Sequence, residues 1–139
     1  MAYILVVDDD ATLREVMTEI LHTEAGHQVI SAGDAESCVE ILRSTEVDLV
    51  LADFILGSRR SGPTLYEQLR EADVLRSARF AYVSGVARKE LEQAGIGHYL
   101  LKPFDVDELI SFVAGLLTDS KKYPDNQSNM ATGVYPERP

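Results

Sequence analysis

Short apolar runs alternate with stretches of helical periodicity along most of the chain, and this alternation restricts the fold more than any other property of the sequence. Tyr3-Ile4-Leu5-Val6-Val7 is apolar at every position. Gln28-Val29-Ile30-Ser31-Ala32, Val47 to Ala52, Phe80-Ala81-Tyr82-Val83-Ser84 and His98-Tyr99-Leu100-Leu101 read as four further strands. A strand that is apolar at consecutive positions, with no in-out alternation, must be covered on both faces. Five strands separated by helical patterns, with continuous apolar stretches that need cover on both faces, predict an α/β domain built on a doubly wound, five-stranded parallel sheet.

The helices between them carry recognisable ends. Leu13, Val16, Met17, Ile20 and Leu21 follow the first strand at helical spacing until Gly26 supplies a stop. Asp34 is placed to cap a helix whose apolar face is Cys38, Val39, Ile41 and Leu42. A third helix, marked by Leu65, Leu69 and Ala72, is expected to begin near Pro63, a residue suited to the first turn. A short helix from Arg88 to Ala94 ends at Gly95. Asp105 and Glu108 have the spacing of a capping box ahead of the last helix, whose core stripe is Leu109, Phe112, Val113, Leu116 and Leu117. Residues 121–139 hold three prolines and few aliphatic side chains, which predicts a flexible polar tail after a domain of residues 1–120.

Charge and cysteine content narrow the functional classes. A net charge of −10 leaves no general basic surface for a phosphate backbone, so nucleic acid is not an expected partner. No apolar stretch reaches the roughly 18 residues of a membrane span, and no basic leader precedes the first strand, so a cytoplasmic protein without membrane insertion is expected. The single cysteine, Cys38, excludes an intrachain disulfide and reads as a small buried hydrophobe. His22, His27 and His98 have no metal-ligand spacing and read as structural or surface residues.

Parallel α/β sheets place their sites outside the carboxyl ends of the strands. The first strand ends at Asp8-Asp9-Asp10, the third at Asp53, the fourth at Ser84 and the fifth at Lys102. Adjacent carboxylates repel unless a cation joins them, so the first group suggests a divalent ion, with Asp10 better suited to capping the next helix. A carboxylate nucleophile such as Asp53, with a cation, an ammonium and a hydroxyl around it, has what phosphoryl transfer requires.

This ordered set resembles the receiver domain of bacterial two-component response regulators: Asp8-Asp9 after strand one, Asp53 after strand three, Ser84 after strand four, Tyr99, and Lys102-Pro103-Phe104. The likeness covers residues 3 to about 118. It implies a flavodoxin-like (βα)5 fold with strand order 2-1-3-4-5. Asp53 is then the phosphoacceptor, and Asp8, Asp9 and Asp53 with the backbone carbonyl of Ile55 bind Mg2+ or Mn2+. Lys102 contacts the phosphoryl group, Ser84 and Tyr99 form the switch pair, and the Lys102-Pro103 bond is cis. The implied protein is a single-domain phosphorelay element, cytoplasmic and not an enzyme beyond self-phosphorylation and self-dephosphorylation. Its phosphoryl donor is a sensor histidine kinase or histidine phosphotransfer protein, and its output is contact with a downstream effector, with a homodimer allowed.

Three departures from the family pattern stand out. The loop after Asp53 lacks the usual Met-Pro pair, places Gly62 one residue late and contains Arg59 and Arg60, which are expected to influence partner choice or phosphoryl access. The 18-residue step from Ser84 to Lys102 is short for the family, so the fourth helix should be short or partly unwound and the output surface unusual. Ile55 and Val86, two residues after Asp53 and Ser84, are apolar, which favours a long-lived acyl phosphate by hindering the attacking water.

Two other readings compete. Asp8-Asp9-Asp10-Ala11-Thr12 also fits the Asp-x-Asp-x-Thr motif of haloacid-dehalogenase-like phosphatases, with Asp8 as the nucleophile, although those enzymes usually need a longer chain. A phosphorylation-independent, receiver-like interaction module is the other.

Overall fold

The computed structural model describes residues 1–54, 64–85, 88–93, 95 and 99–118. Expectations that fall on Ile55, Arg59, Arg60, Gly62, Pro63, Val86, His98 and residues 121–139 lie outside the described residues. Among the described residues the chain alternates strand and helix throughout: β1 (Tyr3–Val7), α1 (Ala11–Glu19), β2 (Gln28–Ala32), α2 (Ala35–Ser44), β3 (Leu49–Asp53), α3 (Leu65–Ala72), β4 (Arg79–Ser84), α4 (Arg88–Gln93), β5 (Tyr99–Leu101) and α5 (Val106–Thr118). All strand pairings are parallel and the order is β2-β1-β3-β4-β5, so the chain reverses direction across the sheet between β1 and β3. The doubly wound fold and its strand order agree with expectation.

Each strand supplies both layers. Leu5 and Val7 of β1, Val50 and Ala52 of β3, and Phe80 and Tyr82 of β4 face one core with Cys38 and Leu42 of α2, Leu65, Tyr66 and Leu69 of α3, and Leu91 of α4. Their neighbours Ile4, Val6, Leu49, Leu51, Ala81 and Val83 face the other core with Met17 and Leu21 and with Leu109, Val113 and Leu116 of α5. Successive strand side chains point to opposite faces, and both faces here are dry, which explains the unbroken apolar runs.

The helix ends are local chemistry. Asp10 caps α1 by accepting from the amides of Thr12 and Leu13, and Asp34 caps α2 by accepting from Ser37 N–H. Glu108 N–H donates to Asp105 Oδ1 at 2.7 Å while Asp105 N–H donates to Glu108 Oε1 at 2.9 Å, completing the expected capping box of α5. A second box, Thr64 with Glu67, opens α3, a Thr-x-x-Glu signal that the sequence carried beside Pro63. Gly26 and Gly95 have φ of 76° and 83°, the left-handed conformation that ends a helix at little steric cost.

Two expectations shift. The third strand begins at Leu49 rather than Val47, because Asp48 leaves the apolar run and accepts the Tyr3 amide at 2.8 Å. Val16 is 44 % exposed, whereas Met17 and Leu21 are buried. At 100° per residue Val16 lies about 140° around the helix from Leu21, beyond the stripe that meets the sheet. The helical path then loosens into a π-helical turn over Ile20–Glu24 before Gly26. Cys38 is fully buried under α2, and desolvation there pushes its thiol up to about 12.

Candidate functional site

Strand parity predicts where the charged ends go. Asp8 continues the parity of Ile4 and Val6, Asp53 that of Leu49 and Leu51, and Lys102 that of Leu100, so three charged groups leave the sheet on the α1/α5 side at its carboxyl edge. The structure brings them together. One oxygen each from Asp8, Asp9 and Asp53 lie within 4.8 Å of one another. Lys102 Nζ sits 2.9 Å from Asp8 Oδ2 and 3.7 Å from Asp53 Oδ2.

Asp8 and Ser84 are the polar residues fully withdrawn from solvent among the described residues, at 2 % and 0 % exposure. A carboxylate is held out of water only where its charge is compensated. Asp8 Oδ1 accepts the Asp10 amide at 2.9 Å, and Oδ2 takes the lysine. The main chain around it is fixed as well: Asp8 N–H donates to the Ala32 carbonyl, and Arg14 Nη1 donates to the Asp8 carbonyl at 2.7 Å. Ser84 ends β4, and its carbonyl accepts the Lys102 amide at 2.8 Å, which ties the hydroxyl-bearing strand to the lysine-bearing one. The Lys102-Pro103 peptide bond is cis.

The donor set suits a divalent cation. Three carboxylate oxygens within 4.8 Å match the roughly 4–5 Å that separates ligands across a hard ion bound at 2.0–2.6 Å. All the donors are oxygen, which suits Mg2+ or Mn2+ and not a thiophilic metal. The residues present therefore fit the ion, with Asp9 exposed at the rim, Asp53 half-buried and Asp8 at the base.

Tyr99, half-buried at the start of β5, packs against the α2/α3/α4 core and stands beside Tyr82 in register. Ser84 has the parity of Phe80 and Tyr82, so Tyr99 and Ser84 belong to the same sheet face. The described part of the fourth helix is six residues long.

Several contributors had no signal in the motif pattern. Arg14 spans two loops, reaching the Asp8 carbonyl while its guanidinium passes so close to Gly33 that an added Cβ would lie 2.8 Å from Nη1. Tyr82 accepts the Tyr66 amide at 3.3 Å and meets Phe54, the neighbour of Asp53, edge to face at 5.1 Å between ring centroids. Arg14 could have been suspected from its place in the first turn of the helix that follows the acidic triplet. Nothing local marks Tyr82.

The chain is similar to known proteins in sequence and in fold. The family model of the response regulator receiver domain matches residues 4–114. The transcriptional regulatory protein CpxR of Escherichia coli K12 is 32 % identical over 133 residues, covering 93 % of this chain and 55 % of that protein. The DNA-binding transcriptional regulator NtrC of Azospirillum brasilense is 30 % identical, covering 86 % of this chain and 25 % of its own length. The chain thus spans about half, or less, of these curated relatives. Among solved structures, a CheY-like response regulator receiver domain protein of Methanospirillum hungatei superposes with a TM-score of 0.70 at 27 % identity, over 88 % of this chain and 98 % of that one.

Proposed function

The chain belongs to the response regulator receiver family, a signalling family serving phosphorelays rather than a family of enzymes, and from that premise we propose that Asp53 accepts a phosphoryl group from a histidine of a sensor kinase or phosphotransfer protein. The observation that carries this reading is the half-buried Asp53 carboxylate standing with Asp8 and Asp9 within 4.8 Å and with Lys102 Nζ at 3.7 Å. Asp53 supplies the nucleophile. Its oxygen forms a bond to phosphorus as the phosphorus–nitrogen bond of the donor breaks, and the imidazole nitrogen leaves with the bonding pair and takes up a proton from solvent.

Charge must be neutralised where the phosphoryl oxygens gather, and the site's own groups are arranged for it. Lys102 exchanges its contact with Asp53 for one with a phosphoryl oxygen, and Ser84 donates its hydroxyl to another. Asp8, Asp9, Asp53 and the Ile55 carbonyl would hold Mg2+ or Mn2+, which supplies Lewis-acid neutralisation when bound. Tyr99, on the same sheet face as Ser84, packs inward behind the hydroxyl and carries the change to the surface. Output is contact with an effector protein through the faces around α4, β5 and α5, and residues 1–120 form the receiver body. No helix of the described residues is long and apolar enough to cross a membrane.

The phosphatase reading, with Asp8 as nucleophile, is disfavoured by the same geometry. Both Asp8 oxygens are engaged, by the Asp10 amide and by Lys102, in a position withdrawn from solvent. Incubation with Mg2+ and acetyl phosphate, followed by intact mass and peptide mapping, tests the proposal. A single hydroxylamine-labile phosphoryl group on Asp53, absent from Asp53→Asn, is expected. Failure to modify the wild type favours the interaction module, and modification at Asp8 favours the hydrolase.

A further inference from the structure

Tyr99 is held from outside. Arg88 Nη1 donates to the Tyr99 hydroxyl at 3.2 Å, and its guanidinium carbon lies 5.9 Å from the ring centroid. Arg88 is exposed, so the hydroxyl of Tyr99 meets its partner at the protein surface while the ring rests on the core. The same cation therefore makes a charge-assisted hydrogen bond to the oxygen and a cation–π contact with the ring. Both contacts depend on where the ring now stands.

Arg88 also sits at an informative place in the chain. It is the first residue of α4 and follows Ser84, the last residue of β4, by four positions in the chain. β4 and β5 are in register at Tyr82–Tyr99 and Ser84–Leu101, which keeps the two ends of the contact on neighbouring strands.

We propose that Arg88 is a positioning residue that latches Tyr99 in the arrangement of the unphosphorylated protein and so sets the threshold for switching. This rests on the reading of Asp53 as phosphoacceptor and of Ser84 and Tyr99 as its switch pair. A ring that moves inward behind Ser84 leaves the guanidinium, and the phosphoryl group must supply the free energy of both lost contacts. An exposed cation–π contact and one hydrogen bond together correspond to about a fivefold bias toward the latched state.

The sign of the effect separates a latch from simple charge. Removing a cation near an anion site weakens anion binding, whereas removing a latch strengthens it. The test measures binding of beryllium fluoride, a phosphoryl mimic, in the presence of Mg2+ to the full chain. Arg88→Ala should bind the mimic about fivefold more tightly, and Arg88→Lys should fall between it and the wild type. Affinity for Mg2+ alone should not change. In a Tyr99→Ala background the Arg88 substitution should have no further effect on mimic affinity. A fluorotyrosine resonance assigned to residue 99 should move toward its mimic-bound position in Arg88→Ala before the mimic is added. Unchanged or weakened mimic binding in Arg88→Ala, or equal tightening in the Tyr99→Ala background, would overturn the latch. A wild type that binds no mimic at Asp53 is a different result: it removes the phosphoacceptor reading itself, and the latch with it.

Discussion

Lys102 Nζ lies 2.9 Å from Asp8 Oδ2, closer than to Asp53, so the lysine that follows the fifth strand compensates the buried base of the acidic cluster before it serves the nucleophile. The side chains are 22 % and 3 % exposed, which makes the aspartate the partner that suffers when the pair is broken. Lys102→Ala is expected to lower stability by about 2 kcal/mol, less than the roughly 3–5 kcal/mol of a fully buried pair. Added Mg2+ should raise the Tm of the variant more than that of the wild type, because it restores compensation to the stranded carboxylate. Thermal unfolding with and without the ion measures both.

Gly33 is required by a neighbour's side chain and not by its own backbone. A Cβ there would stand 2.8 Å from Arg14 Nη1, the atom that donates to the Asp8 carbonyl. Gly33→Ala should displace the guanidinium, a flexible group, at a stability cost below about 1 kcal/mol. The expected damage is to the site: Mg2+ affinity, followed by titration calorimetry, should fall severalfold while the Tm hardly moves.

The Tyr82 hydroxyl accepts the Tyr66 amide, one of the first-turn donors of α3 that have no partner within the helix. Tyr82→Phe keeps the edge-to-face contacts with Phe54 and Phe80 and removes the hydroxyl that accepts from that buried amide. A loss of about 1–2 kcal/mol is expected in denaturant unfolding. If the change proves neutral, the hydroxyl is not what holds the start of α3.

His27 gives the fold a dependence on acid. Its Nδ1 accepts the Ala2 amide at 3.0 Å, a bond only the neutral ring can accept, and burial followed by the nearby amino terminus holds its pKa below the usual 6.5. The folded state then binds fewer protons than the unfolded state just below pH 6.5. Stability is fully present above that pH and is lost as the pH falls through the folded-state value. The Tm should decline below pH 6.5 in the wild type, and the decline should be shallower in His27→Gln, which still offers Ala2 an acceptor.

How far the sequence can be read depends on the range of the interaction. The strand ends at Val7, Ala32 and Ser84 and the caps at Asp10, Asp34 and Asp105 are set within a few residues, so periodicity and capping chemistry place them correctly. The convergence of Asp8, Asp9, Asp53 and Lys102 follows from parallel topology and strand parity, both visible in the apolar runs. What stayed hidden was decided by tertiary contact. Val16 has the same apolar character as Met17 and differs only in which side of α1 meets the sheet. Arg14 over Gly33, the Tyr82 hydroxyl on the Tyr66 amide and Arg88 on Tyr99 are meetings of side-chain tips from different elements. No spacing rule encodes such meetings.

Cys38 turns the core under α2, α3 and α4 into something that can be timed. A buried thiol pushed up to about 12 is almost entirely protonated at neutral pH and shielded from reagents as long as α2 stays seated on the sheet. With no other cysteine in the chain, every alkylation event records one opening of that layer. The labelling rate is thus a clock for breathing on the α2 side, and comparing it with and without a phosphoryl mimic would show whether the signal tightens or loosens the half of the molecule that lies across the sheet from the acidic cluster.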